Sequence, residues 1–230
     1  MPEHDDFSEA APAGTVPDGY YDSPREDVLR FVPVGARRIL DVGCGRGAFM
    51  EALRRRDPSV EVAGIEPEPA AAADGRARGL DVTQGLYPQA AAGLGRFDCI
   101  VFNDVLEHMP DPWAALEVTH DHLEASGTIV ASLPNLRNMD TLRELLVRGD
   151  FRYKPSGVLD QTHLRFFTMT SAARMFEDSG YSVEHCEGTI KVRSRRLLAY
   201  NSVVNLPFPR LRREAAFRQF VIVARPKGAR

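Results

Sequence analysis

Two scarcities narrow the classes of protein to which this 230-residue chain can belong: cysteines are few, and long apolar runs are missing. The three cysteines, Cys44, Cys99 and Cys186, are scattered, which argues against a disulfide framework or a zinc site and indicates a reducing, cytoplasmic location. No stretch of about 18 apolar residues occurs, so we expect no membrane span. The acidic first residues include no apolar signal region, so we do not expect secretion.

Charge is unevenly distributed along the chain, although its formal net value is only -3. Residues 188–230 hold eleven basic side chains against one acid, Glu214, so the rest of the chain is strongly acidic. A basic end of this kind suits either a contact with the chain's own acidic part or an anionic partner, such as a nucleotide-sugar phosphate, a nucleic acid or a lipid headgroup. We favour the intramolecular contact. The lack of a basic patch interleaved with aromatic residues argues against nucleic acid.

The chain length and its 43% hydrophobic content predict one globular domain. Residues 1–18 are rich in Ala, Pro, Gly and acids without periodicity, so we expect a disordered tail before a domain at 19–230. Ser23 is a candidate N-cap for a helix that starts at Pro24. Residues 188–216 exceed a simple connection, and we expect an insertion there that serves as a substrate lid, a homodimer contact or a lipid-surface element.

A glycine-rich turn at residues 39–47 is the most informative stretch of the chain. A short apolar strand containing Asp41 leads into glycines at alternate positions, namely Gly43, Gly45 and Gly47. Glycine permits a sharp turn and a close approach of a ligand to the main chain, and the following helix points free N–H groups into the turn. An acidic side chain before the first glycine would repel a phosphate. It suits a positively charged ligand, such as the ammonium and sulfonium groups of S-adenosylmethionine.

A second acidic position supports a nucleoside-containing ligand. Glu66 ends the next predicted strand, about 20 residues after the glycine turn, where a carboxylate can accept hydrogen bonds from both ribose hydroxyls. Gln84, after a third strand, is a further candidate at the same edge of the predicted sheet. The predicted cofactor-binding residues are therefore Asp41, Gly43, Cys44, Gly45, Gly47, Glu66, Pro67, Gln84, Asn103 and Asp104.

Apolar segments alternate with amphipathic ones along the chain, which indicates a parallel sheet covered by helices on both faces. In such a sheet, ligands bind beyond the carboxyl ends of the strands, where all of these motifs fall. The predicted strands lie at 37–42, 60–66, 80–83, 98–103, 127–133, 181–186 and 217–224.

The motif set resembles that of class I S-adenosylmethionine-dependent methyltransferases. The resemblance rests on Asp41–Gly47, Glu66 and the segment Phe97–His108, and it runs from about residue 20 to 187. It implies an α/β fold: a Rossmann-like, doubly wound, mostly parallel seven-stranded sheet with an antiparallel last strand. It also implies S-adenosyl-L-methionine as the cofactor and methyl transfer as the reaction.

Residues at the end of the fourth strand are candidates for chemistry. Asp104, Glu107 and His108 stand at i, i+3 and i+4, so a helical turn would project all three on one side, as ligands for Mg²⁺ or another divalent ion. The segment resembles the Glu-x-x-Glu-His element of ubiquinone-biosynthesis O-methyltransferases, with Asp104 in place of the first glutamate. His108 is also a candidate general base. In the purely structural alternative, Glu107 and His108 brace the turn.

A polar loop at residues 157–168 supplies a second group of candidates. It resembles a His-Leu-Arg-Phe-Phe-Thr element of bacterial methyltransferases associated with polysaccharide and sugar pathways. His163 is the candidate base for an acceptor hydroxyl, with Asp160 orienting its ring or Arg165 binding an acidic substrate group. The structural alternative is hydrogen bonding of His163 and Arg165 to the loop at residues 134–138.

The resemblance favours O-methylation of a sugar or glycan intermediate. One alternative is a phenolic or other small natural-product acceptor, with aromatic walls from Phe151, Tyr153, Phe166 and Phe167. Another is a non-catalytic methyltransferase-like partner protein, which residues 130–180 also resemble. A nucleic-acid methyltransferase is a third alternative, motivated by the basic end of the chain.

Overall fold

The computed structural model describes residues 24–192, 194–204 and 207–228. Seven strands form one sheet in the order β3-β2-β1-β4-β5-β7-β6. Their bounds are β1 (Arg38–Val42), β2 (Glu61–Glu66), β3 (Asp81–Gln84), β4 (Phe97–Asn103), β5 (Leu123–Pro134), β6 (Tyr181–Gly188) and β7 (Gln219–Pro226). The pairings from β3 to β5 are parallel, and β7 lies antiparallel to both of its neighbours. The predicted Rossmann-like fold with an antiparallel last strand is therefore confirmed.

Helices flank this sheet, and most follow a strand directly. They are α1 (Glu26–Leu29), α2 (Ala48–Arg56), α3 (Pro69–Ala77), α4 (Pro112–His122), α5 (Met139–Arg143), α6 (Met169–Asp178), α7 (Arg195–Val204) and α8 (Pro209–Glu214). A π-helical turn, Glu144–Arg148, extends α5, and a 3₁₀ turn, Leu106–His108, follows β4. No helix in the described part of the chain is long and apolar enough to cross a membrane.

Two apolar clusters, one on each face of the sheet, hold these layers together. In β4, Ile100 and Phe102 join one cluster, while Cys99 and Val101 join the other, as the two-residue period of a strand requires. All four side chains are fully buried. The central strands therefore have both faces covered, so a ligand must bind at the ends of these strands. The strand order reverses between β1 and β4, which places a ligand crevice beside their ends.

The structure differs from the predictions at several element ends. The first helix begins at Glu26 and is capped by Arg25 in a left-handed conformation (φ 43°), so Pro24 precedes it. The proposed cap Ser23 and the tail at 1–18 lie outside the described residues. Strand β5 starts at Leu123, directly after α4, and not at residue 127. The stretch at 188–216 contains α7 and α8, which no strong apolar periodicity had indicated.

Candidate active site

The glycine turn after β1 has the geometry expected for a ligand cradle. Gly43, Gly45 and Gly47 all have positive φ angles, of 72°, 55° and 87°. A Cβ on Gly43 would lie 2.6 Å from a methyl carbon of Val105, and one on Gly47 would lie 2.0 Å from a methyl carbon of Leu80. The left-handed backbone therefore favours glycine at these two positions, and a Cβ would also force the Val105 or Leu80 side chain to move. The turn leads into α2, whose first N–H groups face the crevice.

The Asp41 carboxyl group is buried near the end of β1 and accepts no hydrogen bond from the described residues. The Asp41 side chain is 1% exposed. Burial and, second, the nearby Glu66 raise the pKa of Asp41 to about 8, while Arg25 opposes the shift. A buried, unpaired carboxylate is costly, so the site fits a ligand that brings positive charge.

Glu66, at the end of β2, is tied to the same turn. One carboxylate oxygen accepts a hydrogen bond from the Gly45 backbone N–H (2.8 Å), and the other accepts one from the Glu68 N–H (2.9 Å). Burial raises the pKa of the Glu66 carboxyl. A carboxylate has about four acceptor positions, so two are left for the hydroxyls of a ribose.

The other predicted cofactor residues differ in exposure and in the hydrogen bonds that their side chains make. Gln84 pairs with Glu66 in the sheet register and is exposed, as is Pro67, which follows β2. The Cys44 thiol packs toward Gly64, while its backbone N–H donates to the Ile65 carbonyl (3.1 Å) and its carbonyl accepts from the Gly47 N–H (2.9 Å). Both polar atoms of the Asn103 side-chain amide are buried and have no partner in the described part of the chain. Asn103 therefore resembles Asp41 in having unused hydrogen-bonding capacity at the crevice.

Asp104 is committed to a network that joins four segments. Its backbone is left-handed (φ 55°), and its carboxylate accepts hydrogen bonds from Ser132 Oγ (3.0 Å) and Gln219 Nε2 (3.0 Å). The Arg25 guanidinium also donates to it and reaches Gln219 Oε1 at 3.1 Å. The 3₁₀ turn starts only at Leu106, so Asp104 lies outside it, and the helical turn that would place Asp104 beside Glu107 and His108 does not form.

Arg25 lies beside the candidate cofactor crevice, although the sequence pattern did not predict it there. Its guanidinium is largely buried and lies close enough to Asp41 to lower the pKa of that carboxyl. No local pattern distinguishes it among the 29 basic residues of the chain. The fold therefore places a cation near the buried Asp41 carboxyl group.

A second polar cluster forms where the polar loop meets the 3₁₀ turn. Glu107, His108 and His163 each present a potential ligand atom, all within 4.8 Å of one another. Glu107 is 1% exposed; its carboxyl oxygens have no hydrogen-bond partner among the described residues, and burial raises its pKa. The Nε2 atom of His163 lies 4.0 Å from Oε1 of Glu107. The structure thus replaces the predicted Asp104 with His163 in this cluster.

The His163 ring is oriented by the backbone of its own loop. Nδ1 lies 3.1 Å from the Val158 carbonyl, so it carries the proton and leaves the Nε2 lone pair free in the neutral ring. Burial lowers the pKa of His163, which favours this neutral form. His108 is more exposed, and its Nδ1 lies 3.2 Å from both the carbonyl and the hydroxyl of Thr162. Its ring centroid is 4.8 Å from that of His163.

The neighbours of His163 have structural roles that differ from those predicted. The Asp160 carboxylate accepts hydrogen bonds from the Thr162 N–H (2.8 Å) and hydroxyl (2.7 Å), so it stabilises the loop and does not orient the histidine. Arg165 donates to the Pro110 carbonyl and not to the loop at 134–138. Contact with that loop instead comes from the backbone, where Leu136 N–H donates to the Phe167 carbonyl.

An aromatic wall adjoins His163. Phe151, Tyr153 and Phe166 form a mutually contacting cluster, with ring centroids 5.4 to 6.1 Å apart. Phe166 lies 6.3 Å from the His163 ring. Phe167, predicted as part of this wall, instead belongs to the buried core and packs near Trp113.

This sheet topology, with a glycine turn between two acidic strand ends, defines a class I S-adenosylmethionine-dependent methyltransferase. The chain belongs to the methyltransferase-domain family, whose model matches residues 19–186. The predicted cofactor class and the predicted enzymatic activity are confirmed at this level.

Curated relatives share the same domain. The chain is 29% identical over 163 residues to the ubiquinone biosynthesis O-methyltransferase of Aeromonas salmonicida, covering 66% of each chain. It is 26% identical over 185 residues to the enzyme of that name from Xanthomonas campestris, covering 74% of this chain and 76% of the relative. The match to the Xylella fastidiosa enzyme is 34% identical but covers only 55% of this chain and 57% of the relative.

Solved structures show the same fold at low sequence identity. The methyltransferase bound to the Trm112 activator of Haloferax volcanii has a TM-score of 0.62 and 16% identity, with 91% of each chain covered. The plantazolicin methyltransferase BpumL, in complex with a monoazolic desmethylPZN analog and S-adenosylhomocysteine (SAH), has a TM-score of 0.59 and 16% identity, covering 90% of this chain and 87% of BpumL. At this identity, the likeness concerns the fold alone.

Proposed function

We propose that this enzyme methylates a hydroxyl group on an aromatic acceptor, with His163 as the general base. The observation that carries the proposal is the position of the His163 ring. Its proton-bearing Nδ1 is held by the Val158 carbonyl, and the ring adjoins the wall of Phe151, Tyr153 and Phe166. A free imidazole lone pair beside apolar rings suits a phenol, which needs both a flat surface and a proton acceptor.

The crevice would bind S-adenosylmethionine through its charges and its glycines. Asp41 and Arg25 place an anion and a cation side by side, which matches the ammonium and carboxylate of an amino acid. Glu66 would accept hydrogen bonds from the ribose, and the glycine turn would bring the backbone of α2 against the nucleoside. We retain Gln84 and Asn103 as proposed contacts because both lie at strand ends beside these acids.

The residues of the chain would align the acceptor with the methyl group and take up the proton of the acceptor hydroxyl. The bound cofactor supplies a methyl group that its positive sulfur already activates for in-line displacement. The aromatic wall orients the acceptor, and His163 Nε2 takes up the hydroxyl proton as the oxygen–carbon bond forms. The lowered pKa of His163 keeps its ring neutral and able to accept that proton at neutral pH.

The acceptor is tested by a screen with cofactor that carries a labelled methyl group. We expect transfer to phenolic compounds and not to sugars, and Phe166→Ala should raise KM for the phenol about three- to tenfold with little change in kcat. Phe208→Ala is the matched control because that phenylalanine is exposed and outside the wall. Transfer to sugars would restore the glycan assignment, while cofactor binding without any turnover would favour the non-catalytic partner protein.

Binding of a metal ion is a second function that the cluster of Glu107, His108 and His163 supports. One carboxylate and two imidazoles suit a divalent transition-metal ion, whereas Mg²⁺ prefers oxygen ligands and does not fit Glu107, His108 and His163 as a set. The unpartnered, buried Glu107 carboxyl is the observation in its favour. Such an ion would stabilise the deprotonated acceptor oxygen, and His163 would then be a ligand and not a base.

Metal removal separates these two roles of His163. We expect dialysis against a chelator to leave turnover unchanged, because a neutral histidine needs no ion to accept a proton. Turnover before and after dialysis, with ion content measured by mass spectrometry, checks this expectation. Loss of activity that Mn²⁺ or Zn²⁺ restores would instead assign the cluster to a metal.

A further inference from the structure

The π-helical turn after α5 exposes an unusual run of apolar side chains. Leu145, Leu146 and Val147 are consecutive and are 42%, 76% and 65% exposed. The preceding turn packs inward, where Met139 and Leu142 join a small cluster with residues of α7 and α8. Elsewhere in the described residues, exposed large apolar side chains stand singly, which is ordinary for a protein surface.

Basic residues surround this run. Arg143 and Arg148 lie on either side of it, and two more exposed cations, Arg152 and Lys154, follow in the chain. The acids of this stretch are Glu144, which pairs with Arg148, and Asp150. The small cluster also joins α5 to α7 and α8, whose exposed side chains include four arginines: Arg196, Arg210, Arg212 and Arg213.

We propose that this surface, Arg143–Lys154, docks the enzyme onto an anionic phospholipid bilayer. Apolar side chains that enter the boundary between headgroups and acyl chains, with cations around them, are the combination that binds such a surface. Outside this surface and the basic residues 188–230, the chain is strongly acidic and would be repelled by the same headgroups, so the charge distribution favours one orientation.

A second copy of the chain fits this surface less well. A two-fold contact brings the same patch from both copies together, so Arg143, Arg148, Arg152 and Lys154 would face their own counterparts. Three aliphatic side chains also cover much less than the roughly 800 Å² per partner that stable protein interfaces bury. An anionic bilayer, by contrast, offers an acyl-chain region for the apolar side chains and negatively charged headgroups for the basic ones.

The proposed docking surface leads into the acceptor wall. Phe151 and Tyr153 lie within the segment Arg143–Lys154 and contact Phe166, which adjoins His163. Docking would therefore hold the acceptor side of the crevice near the bilayer. The inference concerns membrane association and does not depend on which acceptor is methylated.

Flotation of the full chain with vesicles tests this proposal without cofactor or acceptor. We expect at least about tenfold more binding to vesicles of phosphatidylcholine mixed with phosphatidylglycerol than to phosphatidylcholine alone, and a decrease with added salt. Val147→Asp should lower binding to the mixed vesicles about tenfold. Val34→Asp is the matched control, because Val34 is 98% exposed. It lies in the turn before β1, at the amino end of that strand, whereas the proposed docking surface follows the carboxyl end of β5.

The proposal would be overturned by equal binding to neutral and anionic vesicles, or by equal losses in Val147→Asp and Val34→Asp. A dimer in solution that Val147→Asp converts to a monomer, without any vesicle binding, would assign the surface to a second copy. Both valines are exposed, so melting temperatures within a few degrees of wild type should accompany both variants. Methylation of a dissolved acceptor should be unchanged in Val147→Asp, which separates failure of docking from failure of catalysis.

Discussion

Replacing Asp41 with asparagine is expected to reduce affinity for S-adenosylmethionine by at least about 100-fold, because the buried ammonium group of the cofactor then loses the negative charge of Asp41. Asparagine keeps the shape of the side chain, so the loss reports the missing charge and not a cavity. Calorimetric titration of the cofactor into both proteins measures the effect. Asp57→Asn is the control. The Asp57 carboxylate lies in a surface turn and accepts hydrogen bonds from the Ser59 N–H and hydroxyl, so this variant should bind the cofactor as wild type does.

The same substitution has an opposite effect on stability, which separates a binding role from a structural one. Since burial raises the pKa of Asp41 to about 8, its ionised form is costly in the folded state. Its contribution to stability is complete below its ordinary pKa of about 4 and is lost as the pH rises through about 8. The cofactor-free wild type should therefore melt at a lower temperature than Asp41→Asn at pH 9, and the difference should shrink toward pH 5.

Cofactor binding should also depend on pH in wild type. A cationic ligand prefers the ionised carboxylate, so binding at neutral pH releases protons from Asp41, and affinity rises as the pH approaches 8. Titrations in buffers of different ionisation enthalpy measure this release. Wild-type affinity in Asp41→Asn, or identical proton release in the two proteins, would show that Asp41 does not contact the cation.

His163→Asn is expected to lower kcat about 10²- to 10⁴-fold while cofactor affinity stays within about twofold, as the loss of a general base predicts. The side-chain nitrogen of asparagine can occupy the position of Nδ1 and keep the hydrogen bond to the Val158 carbonyl. Only the proton-accepting Nε2 is then removed. Steady-state kinetics with the acceptor from the screen, together with cofactor titration, check the prediction.

The pH profile provides an independent signature of this role. Burial lowers the pKa of His163, so kcat/KM in wild type should rise with an apparent pKa below 6.5, and this step should be missing in His163→Asn. His122→Gln, at the half-buried last residue of α4, should leave both kcat and the profile unchanged. Unchanged turnover in His163→Asn would reject His163 as a base and as a metal ligand required for turnover.

Much of the cofactor crevice was predictable because its parts are local. Asp41, Gly43 and Gly47 belong to one strand–turn–helix unit, so their spacing in the chain already implies their arrangement in space. The start of α4 is equally local: the Asp111 side chain accepts a hydrogen bond from the Ala114 N–H (3.0 Å), as an N-cap residue does. Such features depend on neighbouring residues and survive most changes in the surrounding packing.

Asp104 shows why the acceptor end was harder to predict. Its spacing from Glu107 and His108 fits a helical turn, but the left-handed backbone at Asp104 directs its carboxylate to Arg25 instead. The preference of this carboxylate for an arginine from another segment overrides the local pattern. Helices α7 and α8 were missed for a related reason, since their apolar faces are short and are stabilised mainly by packing against α5.

The sequence by itself determined the alternation of strands and helices, the glycine turn and the acidic ends of β1 and β2, because nearby residues dictate each of these. Only the tertiary structure decided which side chains meet beyond β4. Glu107 meets His163, and Arg25 meets Asp104, because the sheet order brings segments that are distant in the chain to one edge. Contacts of this kind depend on topology and burial, which no local spacing of residues encodes.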